Sequence, residues 1–189
     1  MEKAIFIPWK KGKEHNSEID YVKKAIKGDE DAFVEAMKVH KVSLYKVAFS
    51  YVKEEQKALD ILHESTYKGL LAVTKLKNPE FFKTWITRIL INTAINYSKK
   101  DSKTVYLDDD SGLVFKDESL PIEEKIDLYN AIDNLRDKYK TVIILKYFEN
   151  MSIDQISNIM DIPSNTVKSH LRRAKEALGE SLREDYLNE

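Results

Sequence analysis

The feature that most constrains this chain is the segment 152–178, whose residues predict a helix, a turn of three or four residues and a second helix. Ser152 and Gln155 fit a capping box, which satisfies free backbone amides at a helix start. Asp161 falls where the chain turns, and Asp tolerates the backbone that such a turn needs. Pro163 stands near the start of the second helix, where its missing N–H costs little. This order is typical of a helix-turn-helix.

Each helix of this segment has one apolar face. In the first helix the apolar residues recur at helical spacing, and they are Ile153, Ile156, Ile159 and Met160. In the second helix the inward-facing residues are Val167, Leu171, Ala174 and Leu178. The outer face carries Lys168, Ser169, Arg172 and Arg173. Arg can donate two hydrogen bonds to guanine and Lys can bind phosphate, so this face predicts binding in the DNA major groove. The alternative is a helical hairpin with a solvated basic face.

Composition favours a helical protein of one domain or two small ones in 189 residues. Five Gly and four Pro leave little material for a turn-rich all-β fold, and the absence of cysteine excludes disulfides and thiolate metal sites. No apolar run approaches the roughly 18 residues of a membrane helix. The apolar stretch 4–7 is too short for the core of a signal peptide. We therefore expect a cytoplasmic protein.

The formal net charge of −1 conceals an uneven distribution. Residues 1–100 contain 19 Lys and Arg against 13 Asp and Glu, whereas residues 101–125 contain 3 against 8. Residues 126–189 contain 9 against 11. A basic first half is thus averaged with an acidic middle, and the total charge says little about nucleic-acid binding.

Helical periodicity predicts an all-α fold of two small domains joined by a flexible acidic linker. The predicted helices are Glu18–Lys27, Asp29–Tyr51, Glu54–Val73, Glu80–Lys100, Ile122–Leu135 and Lys138–Phe148, followed by the helix-turn-helix. Asn78-Pro79 predicts a loop over Thr74–Pro79. We expect domains at 18–100 and 122–189, a tail at 1–17 and a linker at 101–121, which is aperiodic and acidic. A linker of about 20 residues can span roughly 70 Å, about two turns of DNA.

The predicted helix 80–100 combines aromatic residues at its start with amide and basic residues along its length. Its aromatic residues are Phe81, Phe82 and Trp85, and its polar residues include Lys83, Arg88, Asn92, Asn96, Lys99 and Lys100. Aromatic rings can stack on the bases of a single strand while cations bind its phosphates. Aromatic residues at helical spacing also form cores, and spacing alone does not decide between the two roles.

Together these patterns resemble the group IV, or extracytoplasmic-function (ECF), RNA polymerase sigma factors. The first domain of that family typically contains G-D-x-x-A-F, then D-L-x-Q-E-x-F/Y, then F-x-x-W-L-x-R-I-x-x-N. Here residues 28–33 read GDEDAF, residues 60–67 read DILHESTY, and residues 82–92 read FKTWITRILIN. The middle motif departs from the family, with His63 where Gln is usual. The resemblance covers roughly residues 18–180 in the family's order.

The resemblance implies a promoter-specificity subunit with core RNA polymerase and promoter DNA as partners. It implies a polymerase-docking set of Asp60, Ile61, Leu62, His63, Glu64 and Tyr67. It implies a minus-10 set of Lys75, Asn78, Phe81, Phe82, Lys83, Trp85, Arg88, Asn92, Lys99 and Lys100, which receives a melted strand with a flipped base. It implies a minus-35 set of Thr166, Lys168, Ser169, Arg172 and Arg173. Family members are commonly inhibited by an anti-sigma factor, often membrane-anchored, so we expect such a partner here.

Two other functions compete with this interpretation. The stretch 166–171 also resembles the reading helix of LuxR-type activators, but those proteins pair it with a strand-containing sensor domain, and residues 18–100 predict no strands. His63-Glu64 begins like a zinc-protease motif, yet position 67 is Tyr, so the second zinc ligand is absent. A purely structural helical adaptor would not explain a capped, basic helix. We therefore expect no catalytic residues, no metal, no cofactor and no small-molecule substrate.

Overall fold

The computed structural model describes residues 11–101 and 122–187, which are helical apart from short connections. Its α-helices are α1 (Lys11–Ile26), α2 (Glu30–Val52), α3 (Glu55–Ala72), α4 (Phe82–Asp101), α5 (Ile122–Asp133), α6 (Asp137–Ile143), α7 (Ile153–Met160) and α8 (Ser164–Leu187). Two 3-10 turns, Val73–Lys75 and Pro79–Phe81, join α3 to α4, and a π-helical segment, Ile144–Phe148, continues α6. We call α1–α4 the first bundle and α5–α8 the second bundle. The all-α prediction is confirmed for the described residues.

The observed helix boundaries agree best with the predicted ones where a polar side chain caps the start of a helix. Asp29 caps α2, because its carboxylate accepts a hydrogen bond from the Ala32 amide at 2.9 Å. Gly28 precedes this cap with φ +98°, a backbone that disfavours side chains with a Cβ. The predicted loop before α4 is held by Asn78, whose side chain accepts from the Glu80 amide at 3.0 Å. Such side-chain caps satisfy amides that a helix start leaves free.

Three boundaries differ from prediction. Helix α1 begins at Lys11, so residues 11–17, predicted as tail, are helical; their polar sequence has no apolar stripe that would indicate a helix. Helix α4 begins at Phe82 because a 3-10 turn occupies Pro79–Phe81. The predicted helix Lys138–Phe148 widens into the π-helical segment from Ile144. The predicted linker lies outside the described residues apart from Asp101, the last residue of α4.

The first bundle packs around large side chains from α2, α3 and α4. Fully buried members of this core are Phe33, Leu44, Ile61, Phe82, Ile86 and Leu90. Helix α3 approaches α4 closely at Gly69, where an added Cβ would lie 2.7 Å from Ile86 Cδ1 and 3.1 Å from Phe33 Cζ. Because this core is tightly packed, the outer faces of α3 and α4 are held in one position relative to each other.

The second bundle packs against the first, and the buried apolar residues of both belong to one cluster that polar bonds supplement. The Tyr51 hydroxyl on α2 lies 2.6 Å from Thr141 Oγ1 on α6, and burial raises the pKa of Tyr51. The Asp133 carboxylate on α5 forms ion pairs with Lys53 of the first bundle at 3.2 Å and with Lys140 of the second at 2.9 Å. Helix α4 also packs beside α7. The predicted two-domain plan is therefore realised here with the two bundles in contact.

Within the part of the chain that the structure describes, no helix combines the length and apolarity needed to cross a membrane.

Candidate nucleic-acid interface

The predicted capping box at the start of α7 is present. The backbone N–H of Gln155 donates to Ser152 Oγ at 3.2 Å, and the backbone N–H of Ser152 donates to the side-chain oxygen Oε1 of Gln155 at 2.9 Å. Helix α7 ends at Asp161, which has the left-handed backbone, with φ 57°. Ser157 Oγ then donates to the Ile162 carbonyl at 2.6 Å and closes the turn. These bonds hold the two helices of the motif in one relative orientation.

An apolar seam fixes α8 on the rest of the second bundle. The predicted inward residues Ile156, Ile159, Val167 and Ala174 are buried, and Leu171 is 9% exposed. Leu178 is partly buried against the same core. Ser164 Oγ donates to Asp154 Oδ1 at 2.8 Å and ties the start of α8 to α7. The seam leaves the opposite face of α8 turned to solvent.

That solvent face carries the minus-35 set. Lys168, Ser169, Arg172 and Arg173 are exposed and Thr166 is half-buried. Ser169 Oγ donates to the Asn165 carbonyl at 3.0 Å, so its hydroxyl is engaged by its own helix. Arg172 donates to Glu176 at 2.5 Å, one turn further along. The face therefore has the cationic, exposed character that a major-groove helix requires.

Beside this face lie two groups that sequence reasoning did not single out, Tyr139 and His170. Their rings meet edge to face with centroids 5.5 Å apart. A hydrogen bond from Arg173 lowers the pKa of Tyr139, and the nearby cations Lys138 and Arg136 act in the same direction. Burial, together with Lys138 and Arg173, lowers the pKa of His170. The Nδ1 atom of His170 is buried without a hydrogen-bond partner among the described residues.

The aromatic residues at the start of α4 divide between surface and core. Phe81 is 53% exposed, and Trp85 is half-buried. Phe82 is 1% exposed and packs its ring against Phe33 at 6.0 Å and Trp85 at 5.8 Å. The ring of Phe82 is enclosed by the first bundle in this structure, and its contact with DNA stays a prediction. The Phe82 ring instead packs against the Trp85 ring.

Two cations of the minus-10 set pair with the second bundle. Arg88 lies 3.1 Å from the Asp161 carboxylate and also donates to the Asn158 carbonyl at 3.4 Å. Lys83 lies 3.5 Å from Glu149, whose side chain is 7% exposed and also accepts from the Ser43 hydroxyl. The structure thus brings Arg88 to the helix-turn-helix and Lys83 to the residue that follows the π-helical segment, which the sequence did not indicate.

The remaining members of the minus-10 set lie along the outer surface of the first bundle. Lys75, Asn78, Asn92 and Lys99 are exposed. The side chain of Lys100 lies outside the described residues.

Of the six residues of the docking set on α3, four are exposed and two are buried. Asp60, His63, Glu64 and Tyr67 are exposed. Ile61 and Leu62 are 0% and 4% exposed and belong to the core of the first bundle, so their contact with a partner stays a prediction. Leu71, one turn beyond Tyr67, is 64% exposed. Glu64 pairs with Lys68 at 2.6 Å, and Tyr67 and Leu71 add an apolar end to this charged surface. We call residues 60, 64, 67 and 71 the α3 ridge.

No group of three or more His, Asp or Glu that could hold a metal ion occurs among the described residues.

Comparison with known proteins identifies two family domains in the chain. The family model described as sigma-70 region 2 matches residues 37–104, and the one described as sigma-70, region 4 matches residues 125–178. RNA polymerase sigma factor SigV of Bacillus subtilis is 38% identical over 149 residues, which cover 79% of this chain and 90% of the relative. ECF RNA polymerase sigma factor SigW of the same organism is 29% identical over 178 residues, covering 86% and 95%.

Two solved structures share the fold. CnrH in complex with the cytosolic domain of CnrY superposes with a TM-score of 0.69 at 18% identity, covering 89% of this chain and 99% of that one. The sigma factor RpoE in complex with the anti-sigma factor NepR from Bartonella quintana gives a TM-score of 0.66 at 22% identity, covering 80% and 96%.

Proposed function

The chain belongs to the sigma-70 family of RNA polymerase sigma factors, and from this premise we propose which of its surfaces performs each part of the work. It is an alternative sigma factor, a subunit that directs core RNA polymerase to particular promoters. The observation that carries the assignment of surfaces is the capped helix-turn-helix, which presents a cationic face of α8 to solvent.

Helix α8 reads the minus-35 element. Its apolar seam is buried, so only the outer face with Lys168, Arg172 and Arg173 can enter a groove. An Arg side chain can donate two hydrogen bonds to the O6 and N7 atoms of guanine. Arg172 is the best candidate for that contact, because it lies on the exposed face and its bond to Glu176 orders the guanidinium in advance.

The start of α4 receives the melted strand of the minus-10 element. Phe81 and Trp85 offer exposed ring surface for an unstacked base, and Lys83 and Arg88 offer cations for the backbone. Since these cations pair with Glu149 and Asp161, the bundles must part at this contact before both cations can bind DNA.

The α3 ridge docks on core polymerase. Its carboxylates, Asp60 and Glu64, complement a basic partner, and Tyr67 and Leu71 supply apolar area that the chain itself leaves uncovered. Exposed apolar residues beside charged ones are typical of protein-binding surfaces.

An anti-sigma factor regulates the chain by covering these surfaces. Two proteins whose fold this chain shares support the proposal, since CnrH was solved with the cytosolic domain of CnrY and RpoE with the anti-sigma factor NepR. The chain acts in the cytoplasm, where promoter DNA and polymerase meet. It performs no catalysis of its own and supplies recognition to the polymerase.

The proposal is tested with the full chain bound to core polymerase. Arg172→Ala is expected to weaken binding to a promoter by about 1–3 kcal/mol and to relax the preference at one minus-35 base pair. Asp60→Ala combined with Glu64→Ala is expected to weaken polymerase binding instead. Lys41→Ala, which removes an exposed cation from α2, is the control. Equal promoter binding by Arg172→Ala and wild type would contradict the minus-35 assignment, and unchanged polymerase binding by the double variant would contradict the docking surface.

A further inference from the structure

A pair of polar side chains links α1 to α2 inside the first bundle. His40 Nε2 lies 2.8 Å from Glu18 Oε1, and the two side chains are only 10% and 15% exposed. An ionised carboxylate only accepts hydrogen bonds, so the imidazole N–H donates to Glu18. The bond joins residues that are 22 positions apart and restrains the orientation of the His40 ring.

This pair differs from three hydroxyl groups that are buried in the same bundle. The hydroxyls of Ser50, Ser65 and Thr87 each donate to a carbonyl of their own helix, three or four residues earlier. His40 instead bonds to another helix, and enclosing an imidazole with a carboxylate carries a desolvation penalty that an apolar side chain would avoid. What the pair orients therefore explains it better than stability alone.

Three rings lead from this pair to the surface at the start of α4. The His40 ring packs against the Phe82 ring with centroids 5.9 Å apart, and the Phe82 ring packs against the Trp85 ring at 5.8 Å. Both pairs have an interplanar angle of 38°. Phe82 is 1% exposed and Trp85 is half-buried, so the series ends on a ring that a base can reach.

The position of the Trp85 ring depends on the Phe82 ring, because protein interiors are closely packed. The two residues are three positions apart on α4 and share one face of the helix. Phe82 is in turn restrained from α2 at two points two turns apart, since Phe33 meets its ring edge to face at 6.0 Å and His40 packs against it. A change in the His40 ring is therefore transmitted to Trp85 through Phe82.

We infer that His40, held by Glu18, is a positioning residue for single-strand binding, which fixes the Phe82 ring and thereby the orientation in which Trp85 receives an unstacked base. This inference rests on the proposed function of the start of α4 at the minus-10 element. It gives α1 a part in strand binding, although the Glu18 carboxylate bonds to His40 inside the bundle. Glu18 also precedes residues 37–104, which match sigma-70 region 2.

A ring that is held in one orientation before binding costs less to bind than a ring that must first be ordered. Stacking on an aromatic side chain contributes to single-strand binding whatever the base, because every base has a π face. Loss of the bond between His40 and Glu18 is therefore expected to weaken single-strand binding on all sequences and to leave the minus-35 contact of α8 unchanged.

The test uses the full chain bound to core polymerase and two probes, a forked DNA with a single-stranded minus-10 segment and a duplex that carries only the minus-35 element. Trp85→Ala is expected to weaken forked-DNA binding by roughly 5- to 150-fold, the range for one base–aromatic stack. His40→Leu is expected to lose part of that stack, about three- to tenfold, without a change in duplex binding. Val47→Ala, at a buried residue of α2 two turns from His40, is the control for lost core packing and is expected to change neither.

Glu18→Gln keeps an oxygen that accepts from His40 and is expected to bind forked DNA as the wild type does, whereas Glu18→Ala should weaken binding as His40→Leu does. Glu18→Ala provides the same test if His40→Leu does not fold. In the Trp85→Ala background His40→Leu should have no further effect, a coupling that a merely structural role would not give.

Fluorescence provides a second measurement of the Trp85 ring. In the Trp9→Phe background Trp85 is the sole tryptophan. His40→Leu is expected to shift its emission maximum and to reduce its quenching by a single-stranded oligonucleotide.

Normal forked-DNA binding by His40→Leu, an equal loss in Val47→Ala, or an undiminished effect of His40→Leu in the Trp85→Ala background would overturn the inference. In each of these cases a loss in Trp85→Ala alone would leave the proposed function intact. Normal forked-DNA binding by Trp85→Ala would instead contradict the proposed function of the start of α4.

Discussion

The guanidinium of Arg88, in the middle of α4, lies 3.1 Å from the carboxylate of Asp161, the residue at which α7 ends. One residue is a predicted contact for melted DNA, and the other forms the turn of the helix-turn-helix. Their pairing places a carboxylate where a DNA phosphate would bind. Under the proposed function, the second bundle in this arrangement competes with single-stranded DNA for α4.

Asp161→Asn is expected to increase the affinity of the full chain for single-stranded DNA. Asn tolerates the left-handed backbone at this position, so the substitution removes the charge and preserves the turn. Both partners are exposed, at 43% and 80%, and such a pair is worth about 0–1 kcal/mol, so we expect a gain of at most about fivefold. Fluorescence anisotropy with a labelled oligonucleotide measures it. Asp20→Asn removes the acid of an exposed pair with Lys23 on α1 and is the control; equal gains in both variants would contradict the competition.

Thr141→Val is expected to destabilise the chain by about 1–3 kcal/mol, because it leaves the buried Tyr51 hydroxyl without its partner across the two bundles. Tyr51→Phe removes the hydroxyl itself and should cost less. Urea unfolding of both single variants and the double variant measures the coupling. Tyr67→Phe, on the exposed α3 ridge, is the control. Additive effects of the two substitutions would show that this hydrogen bond does not link the bundles.

Gly69→Ala is expected to destabilise the first bundle by about 1–2 kcal/mol. The new Cβ would lie 2.7 Å from Ile86 Cδ1, and the overpacking outweighs the gain in helix propensity of about 1 kcal/mol. Gly179→Ala on α8 is the matched control, because nothing lies within 4 Å of its added Cβ. Thermal unfolding should show a lower midpoint for the first variant and a higher one for the second. A higher midpoint for both would mean that α3 and α4 can move apart freely.

Acidification is expected to destabilise the second bundle through His170. Its pKa in the folded chain is below the ordinary value of 6.5, so the unfolded chain binds more protons as the pH falls through about 6.5, and stability is lost there. Above that range both states are neutral and the residue contributes no pH dependence. The change in unfolding midpoint between about pH 7.5 and about pH 5.5 should be smaller in His170→Gln than in wild type. An unchanged midpoint difference in His170→Gln would refute the assignment.

Leu71→Ser is expected to weaken binding to core polymerase without lowering the stability of the chain. Leu71 is 64% exposed, so the folded chain loses little by the substitution, whereas the α3 ridge loses apolar area. Val42→Ser is the matched control, because Val42 on α2 is 66% exposed. Surface binding measurements with immobilised polymerase compare the two. Equal weakening by both substitutions would argue against docking through the α3 ridge.

Local signals explain why most of the fold could be predicted from the sequence. Asp29, Ser152 and Asp161 each end or begin a helix by bonds to residues at most four positions away, and such bonds can be inferred from spacing. The inward face of α8 followed in the same way from helical period. The start of α1 at Lys11 could not be predicted, because its polar sequence has no hydrophobic periodicity.

The site was less predictable because its decisive contacts join residues far apart in the chain. Arg88 and Asp161 are 73 positions apart, and nothing in either neighbourhood indicates the other. Phe82 and Leu71 show a second difficulty. Phe82 is buried and Leu71 is exposed, although both are apolar residues on amphipathic helices. The side of each helix that faces the core is decided by the packing of α3 on α4, which approach closely at Gly69.

Promoter-directed initiation is best tested by transcription with core RNA polymerase from a library of promoter fragments, with and without the purified chain. We predict that the chain binds the polymerase stoichiometrically and produces new start sites whose upstream sequences share two elements separated by about two turns of DNA. Binding to DNA without association with polymerase, or association without new start sites, would contradict a role in promoter selection.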